Sequence, residues 1–201
     1  ALTVNGGRTR SGEADKNPAR TAAEKFAARL AKAGIVVTAT RPMKAPADAR
    51  RLAAAQSPSV EELVAHTLRY SDNTAIETLT RQAALAAGRR GDFAGASRTV
   101  RETLQRLGLW ASGMVIDDTS GLSRNNRVTP GALAKAMQLV VVEDRFRSLI
   151  AGLPVGGVTG TLASRFDDAG ERAGRGVVRA KTGSLRDVTA VAGYVLAHSG
   201  Q

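Results

Sequence analysis

Apolar residues recur every three or four positions in five stretches of the chain, which is the spacing of a helix with one buried face. Ser59 and Glu62 have capping-box spacing ahead of the second stretch, and Thr129 is a plausible N-cap ahead of the last. Glycine at 34, 88 and 108 suits the ends of the first, third and fourth. The pattern predicts helices over residues 18–32, 60–70, 74–87, 98–107 and 130–142.

Other stretches are β-branched and alternate between apolar and polar positions, as strands do. The clearest are residues 176–182 and 188–196, joined by the short link 184–187, and they predict a pair of strands. Weaker strand patterns cover residues 35–40 and 1–4, the latter closed by the turn Asn5-Gly6-Gly7. A strand, a helix and a strand would make residues 1–40 a small α/β unit, and the proline-containing stretch 41–55 a connection to the rest.

The charge balance is strongly basic, with 29 Lys and Arg against 18 Asp and Glu and a formal net charge of +11. Such a charge suggests an anionic partner such as nucleic acid or a cell-wall polymer. However, 4 Phe, 1 Trp and 2 Tyr give little material for stacking on bases, and the arginines are scattered rather than clustered. A solvated, arginine-rich surface is therefore the favoured interpretation; no nucleic acid is expected as a partner, while binding to an anionic polymer stays open.

Cysteine is absent, which excludes thiol nucleophiles, cysteine-ligated zinc and iron–sulfur clusters. His66 and His198 are the two histidines, so a histidine-rich metal site or a Ser-His-Asp triad would have to use one of them. Both are poor candidates. At 201 residues the chain can bury a core without such cross-links. It begins with Ala1, contains no leader or membrane-spanning pattern, and looks like part of a longer protein, cut at both ends.

Two tripeptides carry the clearest chemical signal. Ser71-Asp72-Asn73 falls at the joint between two predicted helices, and Lys181-Thr182-Gly183 falls at the end of a predicted strand. Phosphate loops, dinucleotide fingerprints, His-Glu-x-x-His and Gly-x-Ser-x-Gly are all missing. Because each tripeptide is rare by chance and both occur together, they indicate the second and third motifs of the penicillin-recognising serine enzymes.

Longer segments narrow this resemblance to one family. Residues 118–130 (DTSGLSRNNRVTP) resemble a segment of the D-alanyl-D-alanine carboxypeptidase/endopeptidase family, the class C low-molecular-mass penicillin-binding proteins. Residues 153–157 with 160–162, residues 56–58 and residues 178–185 are similar to that family as well. The likeness covers residues 56–197, and residues 1–41 resemble the last part of the domain that this family inserts after its nucleophile motif.

The resemblance implies roles for the first tripeptide. Ser71 would relay a proton between the active-site base and the leaving amine, and Asn73 would donate to a substrate carbonyl and contact the active-site lysine. Asp72 would face away and be structural. The alternative is that Ser71 and Asn73 are ordinary helix caps.

The same resemblance implies that the second tripeptide binds the terminal carboxylate of the substrate. Lys181 would supply the positive charge and Thr182 a hydrogen bond, while Gly183 would leave the strand edge open to the peptide. The backbone N–H of Ser184 would form half of an oxyanion hole. By itself, a lone strand lysine would more often be a solvated charge.

The remaining residues of the resemblance are expected to support the site. Ser120, Gly121, Ser123 and Arg124 would brace the loop, and Arg127 would pair with a carboxylate or with substrate. We expect His66 to be a satisfied, half-buried histidine.

One element is missing. Acyl transfer of this kind needs Ser-x-x-Lys, which sets an amine one helical turn from the hydroxyl that it deprotonates. No serine of this chain is followed by lysine at the third position. We therefore expect the nucleophile on a companion segment of the same protein.

The sequence thus predicts an α/β, penicillin-binding/serine β-lactamase-like fold, a helical lobe plus an antiparallel sheet. Residues 1–55 would be the last part of an inserted α/β domain with its connection, and residues 56–201 the C-terminal part of the penicillin-binding domain. The implied activity is a metal- and cofactor-free, serine-type D-Ala-D-Ala carboxypeptidase or endopeptidase. It would trim peptidoglycan outside the cytoplasmic membrane, in the periplasm or cell wall, and be acylated by β-lactams. A serine β-lactamase or esterase, and a non-catalytic basic module, are the alternatives.

Overall fold

The computed structural model describes residues 3–44 and 46–197, and the chain divides into two compact units, Ala1–Gln56 and Ser57–Gln201. His198 and the first two residues of the predicted strand 1–4 lie outside the described residues. None of the helices in the described ranges is both long and apolar enough to cross a membrane.

The described part of the first unit contains one α-helix, α1 (Pro18–Lys32), which Asn17 caps by accepting a hydrogen bond from the Arg20 N–H at 3.1 Å. A 3-10 turn covers Asn5–Gly7. The predicted strand over residues 35–40 is wrong, since this stretch has no strand assignment, and residues 3 and 4 have none either. A β-branched run becomes a strand only when a neighbouring strand takes up its backbone hydrogen bonds, and the described part of this unit offers it none.

The second unit holds five α-helices, three short 3-10 helices and one hairpin within its described residues. The α-helices are α2 (Val60–Tyr70), α3 (Asn73–Ala86), α4 (Phe93–Arg106), α5 (Pro130–Val142) and α6 (Arg147–Gly152). The capping box predicted for α2 is confirmed, because Ser59 Oγ accepts from the Glu62 N–H and the Glu62 carboxylate accepts from the Ser59 N–H. Helix α4 begins five residues before its predicted start, because Asp92 caps it by accepting from the Gly95 N–H.

Helices of this unit pack in pairs. Helix α3 lies against α4, α2 against α6, and α5 against the hairpin. The α2–α6 crossing is close: a Cβ on Gly152 would lie 2.7 Å from Ala65 Cα, so glycine is needed there. The buried apolar residues described in this unit include Ala84, Ala96, Leu109, Met114, Ala132, Val140, Leu153, Pro154, Leu162 and Ala180.

The hairpin consists of antiparallel strands β1 (Val178–Leu185) and β2 (Val188–Val195), with Lys181 opposite Ala192. Its turn is two residues long, shorter than predicted, and Asp187 in it has a φ of 67°. The outer edge of β1 bonds to residues 154–156 only as far as Ala180, whose N–H donates to the Pro154 carbonyl at 3.0 Å. From Lys181 onward this edge has no strand beside it among the described residues.

Candidate active site

The joint between α2 and α3 exposes the hydroxyl of Ser71 to the cavity described below. Ser71 ends α2 in the left-handed conformation (φ 56°, ψ 47°), which turns the chain sharply. Asp72 then starts α3, since one of its carboxylate oxygens accepts from the Ala75 N–H at 2.9 Å. The other oxygen lies 3.4 Å from His66 Nε2. Both carboxylate oxygens of Asp72 therefore have partners within the joint, one in the helix cap and one at His66. The Ser71 side chain is left free to contact other groups.

His66 belongs to this joint rather than to the chemistry. Its ring lies 5.0 Å from the ring of Tyr70, measured between centroids, and its side chain is half exposed. His66 therefore has a ring contact with Tyr70 and a polar contact with Asp72, as expected from the sequence. Within the described ranges no cluster of three or more His, Asp or Glu residues could hold a metal ion.

Lys181 reaches the joint from strand β1. Its ammonium donates to Ser71 Oγ at 2.8 Å and to the carbonyl of Thr182 at 2.6 Å. Burial lowers the pKa of Lys181 below its ordinary value, because desolvation disfavours the charged form. One of the three ammonium protons remains for another acceptor.

An open cavity of about 470 Å³ surrounds this pair. All six residues singled out in the sequence line it: Ser71, Asn73, Lys181, Thr182, Gly183 and Ser184. The structure thus brings together two tripeptides that are 110 positions apart along the chain. The geometry provides a hydroxyl, an amide and a half-buried ammonium around one volume.

The open edge of β1 forms one side of this cavity. Backbone groups alternate in direction along an antiparallel strand, and the Ala180 N–H points to the outer edge. The N–H groups of Thr182 and Ser184 therefore point to the same edge, where no described strand competes for them. Thr182 Oγ1 also lies 2.8 Å from Thr161 Oγ1, which fixes its rotamer.

The loop 118–127 forms another side. The carboxylate of Asp118 accepts from the N–H groups of Gly121 and Ser123, from Ser120 Oγ and from Asn126 Nδ2, at 2.7–3.0 Å. Burial alone would raise the pKa of Asp118, but these four donors together hold it below its ordinary value. The loop is therefore a braced unit.

The two arginines of this loop act on backbone carbonyls. Arg124 donates to the carbonyl of Arg186 in the hairpin turn at 3.0 Å, which links the loop to β1 and β2. Arg127 donates to the carbonyls of Arg124 and Asn126. Its expected ion pair with a carboxylate is not formed among the described residues, because the carbonyls of its own loop are nearer.

Sequence reasoning gave no site role to Glu77, nor to the lining residues Thr67, Leu68, Ile76, Thr119, Leu122 and Leu185. Leu122 lines the cavity although it is half exposed. Glu77 is buried, and its carboxylate accepts from the N–H groups of Thr119 and Ser120. The available signal was its position four residues after Asn73, which puts both on one face of α3.

Comparisons with known proteins agree with this geometry. The model of the D-Ala-D-Ala carboxypeptidase 3 (S13) family matches residues 1–201. The chain is 35% identical over 205 residues to a carboxypeptidase of Mycobacterium tuberculosis, covering 100% of this chain and 44% of that protein. It is 33% identical over 159 residues to the D-alanyl-D-alanine carboxypeptidase of Actinomadura sp., covering 77% of this chain and 29% of that protein.

A solved structure shares the fold. Penicillin-binding protein 4 of Haemophilus influenzae, crystallised with a β-lactam, superposes with a TM-score of 0.79 at 27% identity, over 93% of this chain and 43% of that one. The predicted penicillin-binding, α/β fold is confirmed. The chain spans less than half the length of the relatives that match all of it. Since the match extends over every residue and the fold is that of a penicillin-binding protein, the chain belongs to the D-Ala-D-Ala carboxypeptidase 3 (S13) family.

Proposed function

We propose that this chain forms part of the active site of a serine-type D-Ala-D-Ala carboxypeptidase that trims peptidoglycan stem peptides, and that cross-link cleavage is a further activity of the same site. The observation that carries the proposal is the Lys181–Ser71 hydrogen bond of 2.8 Å, at a cavity beside an open strand edge. The substrate peptide would lie along that edge as an added strand, which is a common way to hold an extended peptide.

The terminal carboxylate of the substrate would dock against Lys181 and Thr182. The remaining proton of the Lys181 ammonium and the Thr182 hydroxyl are both donors that suit a carboxylate. Asn73 would donate its side-chain amide to a carbonyl of the peptide. The Ser184 N–H, on the open edge, would donate to the oxygen that becomes negatively charged during attack.

Proton transfer is the role proposed for Ser71. Because its oxygen already accepts from Lys181, its own proton is free to be donated elsewhere. The lysine of the companion Ser-x-x-Lys takes the proton of the nucleophilic serine, which attacks the carbonyl of the penultimate residue. The C–N bond to the terminal D-alanine then breaks, and Ser71 passes that proton from the lysine to the leaving amine. Water then cleaves the acyl-serine, releasing the shortened peptide and restoring the serine hydroxyl.

The nucleophile must come from outside this chain, since Ser-x-x-Lys is absent from it. We infer a companion segment of the same protein that brings the serine to the cavity near Lys181. The domain assignment, with residues 1–55 as the last part of an inserted domain, belongs to the same proposal. The substrate implies an extracytoplasmic location, in the periplasm or cell wall.

The basic charge does not require a separate function. Arginines at 20, 89, 90, 98, 145, 147 and 175 pair with acidic side chains of the described residues. Such pairing is what a solvated, arginine-rich surface predicts, and the net charge of +11 is unchanged by it.

Fluorescent-penicillin labelling of the purified native protein tests the proposal. We expect label on the polypeptide that carries the nucleophile, a mass increase equal to the penicillin, and release of D-alanine from a D-Ala-D-Ala peptide. A label that is hydrolysed within seconds, without D-alanine release, would favour the β-lactamase alternative. Absence of label and of D-alanine release would overturn the catalytic proposal.

A further inference from the structure

Glu77 is a buried acidic residue that the proposed reaction does not use. Only 8% of it is exposed. Its Oε1 accepts hydrogen bonds from two successive backbone amides, Thr119 N–H at 2.9 Å and Ser120 N–H at 2.8 Å. Its Oε2 is buried without a hydrogen-bond partner among the described residues. A glutamate in such a place is costly, so its presence calls for a function.

The segment that Glu77 holds is the start of the cavity wall. Thr119 and Ser120 lead directly into Gly121 and Leu122, and all four line the cavity. The loop is braced internally by Asp118, as described above, so it can move only as a unit. Its position relative to α3 then depends on a few tethers outside the loop.

Two such tethers connect the loop to α3. One is the Glu77 carboxylate, with its pair of amide donors, and the other is a hydroxyl contact of 2.7 Å between Thr80 and Thr119. Glu77 accepts two hydrogen bonds from the loop backbone, whereas Thr80 makes one hydroxyl contact. Glu77 is therefore the dominant tether.

The same helix carries Asn73 one turn earlier. Residues four apart on a helix lie on one face, so α3 presents the Asn73 amide to the cavity and holds the facing loop through Glu77. Helix α3 therefore contacts both sides of the cleft, through Asn73 on one side and through Glu77 on the other.

We propose that Glu77 is a positioning residue that sets the width of the cleft between Asn73 and the wall formed by residues 120–122. This inference rests on the proposed carboxypeptidase function. Glu77 acts through backbone amides and touches no reacting atom. Its loss should therefore weaken substrate binding, seen as a higher KM, and leave kcat within a few-fold.

Two substitutions distinguish the hydrogen bonds of Glu77 from the effect of its side-chain size. Glu77→Leu keeps approximate size but removes the acceptor, and we expect roughly a tenfold rise in KM. Glu77→Gln keeps an oxygen that can accept from both amides, so its KM should stay within about threefold of the wild type. If Glu77→Leu fails to fold, Glu77→Asp replaces it, since the shorter side chain cannot reach both amides.

Glu62→Ala is the matched control. It removes the capping box of α2, and so costs stability without contacting the cleft wall. Its KM should be unchanged. An equal rise in KM for Glu62→Ala would show that lost stability explains the effect. An equal rise for Glu77→Gln would show that the two amide hydrogen bonds do not hold the wall, and either result would overturn the inference.

Amide hydrogen exchange gives a readout that does not depend on activity. We expect residues 119–122 to exchange faster in Glu77→Leu and at the wild-type rate in Glu77→Gln. Unchanged exchange in Glu77→Leu overturns the tether even if the enzyme is active. A wild-type protein without D-alanine release overturns the proposed function, while the exchange result still decides whether Glu77 fixes the wall.

Discussion

The Lys181 ammonium donates a hydrogen bond to the Ser71 hydroxyl over 2.8 Å, although 110 positions separate the two residues in the sequence. Strand β1 supplies the lysine and the joint between α2 and α3 supplies the serine. Any change that shifts the strand against the helices therefore acts on the proposed proton relay. Stability and chemistry of the second unit are linked at this contact.

Removing the Ser71 hydroxyl should disable the reaction without unfolding the chain. We expect Ser71→Ala to lower kcat/KM for D-alanine release by about 10²–10⁴-fold, the usual value of a positioned proton donor. Alanine in the left-handed conformation is strained to a similar degree as serine, so the melting temperature should change little. Steady-state kinetics and thermal unfolding check both expectations. Ser57→Ala, on the exposed chain ahead of α2, is the control, and activity retained in Ser71→Ala would contradict the relay.

The lowered pKa of Lys181 predicts a pH dependence of stability. Between its pKa in the folded chain and the ordinary lysine value of about 10.4, the unfolded chain binds more protons than the folded chain. The free energy of unfolding should therefore gain from Lys181 as pH rises through this window. Urea unfolding at a series of alkaline pH values should show this rise in the wild type. In Lys181→Met the contribution should vanish, and an unchanged slope would contradict the assignment.

Asp118 predicts an effect of the same sign in acid, because its pKa is also lowered by folding. Its pKa is below the ordinary value, so the carboxylate adds stability above about pH 4 and loses it as pH falls through the folded pKa. Asp118→Asn should reduce the free energy of unfolding at pH 7 by about 1–3 kcal/mol, since four donors lose a charged acceptor.

Chemical unfolding of this variant between pH 2 and pH 7 is the measurement. The wild type and Asp118→Asn should converge in acid. Asp168→Asn, at an exposed position, is the control and should follow the wild type. A constant difference across the whole range would show that the charge of Asp118 is not the cause.

A pair of glycine substitutions tests the packing behind the site. A Cβ on Gly193 of β2 would collide with the backbone carbonyl of Arg179, and it would lie 2.5 Å from Ala180 Cα. Gly193→Ala should therefore displace β1 and cost more than about 2 kcal/mol. Gly131 in α5 has open space around it, so Gly131→Ala should stabilise by about 0.5–1 kcal/mol. Melting temperatures that move in the same direction for both would contradict this.

Helix positions were predictable because their signals are local. Apolar spacing, the capping box at Ser59 and the cap at Thr129 each act within one turn, and the structure confirms them. The early start of α4 was missed because Asp92 follows a glycine-rich stretch that favours a loop interpretation. The two motifs were predictable for a different reason, since resemblance to a family carries long-range information.

What could not be predicted depends on partners far along the chain. Residues 35–40 have the composition of a strand, but composition does not supply a neighbouring strand. The pairing of β1 with residues 154–156 is another case, and it decides where the open edge begins. Glu77 was missed because a glutamate within an amphipathic helix suggests a solvated position until its two amide partners are known.

The left-handed turn at Ser71 has an evolutionary consequence. Glycine would adopt this conformation without steric cost, so the chain keeps a residue that is less favourable for its backbone in order to keep a hydroxyl. Directed evolution for heat resistance alone should recover Ser71→Gly and produce a hardier protein that has lost its proposed proton donor. Selection that requires the proposed carboxypeptidase activity should reject the same substitution.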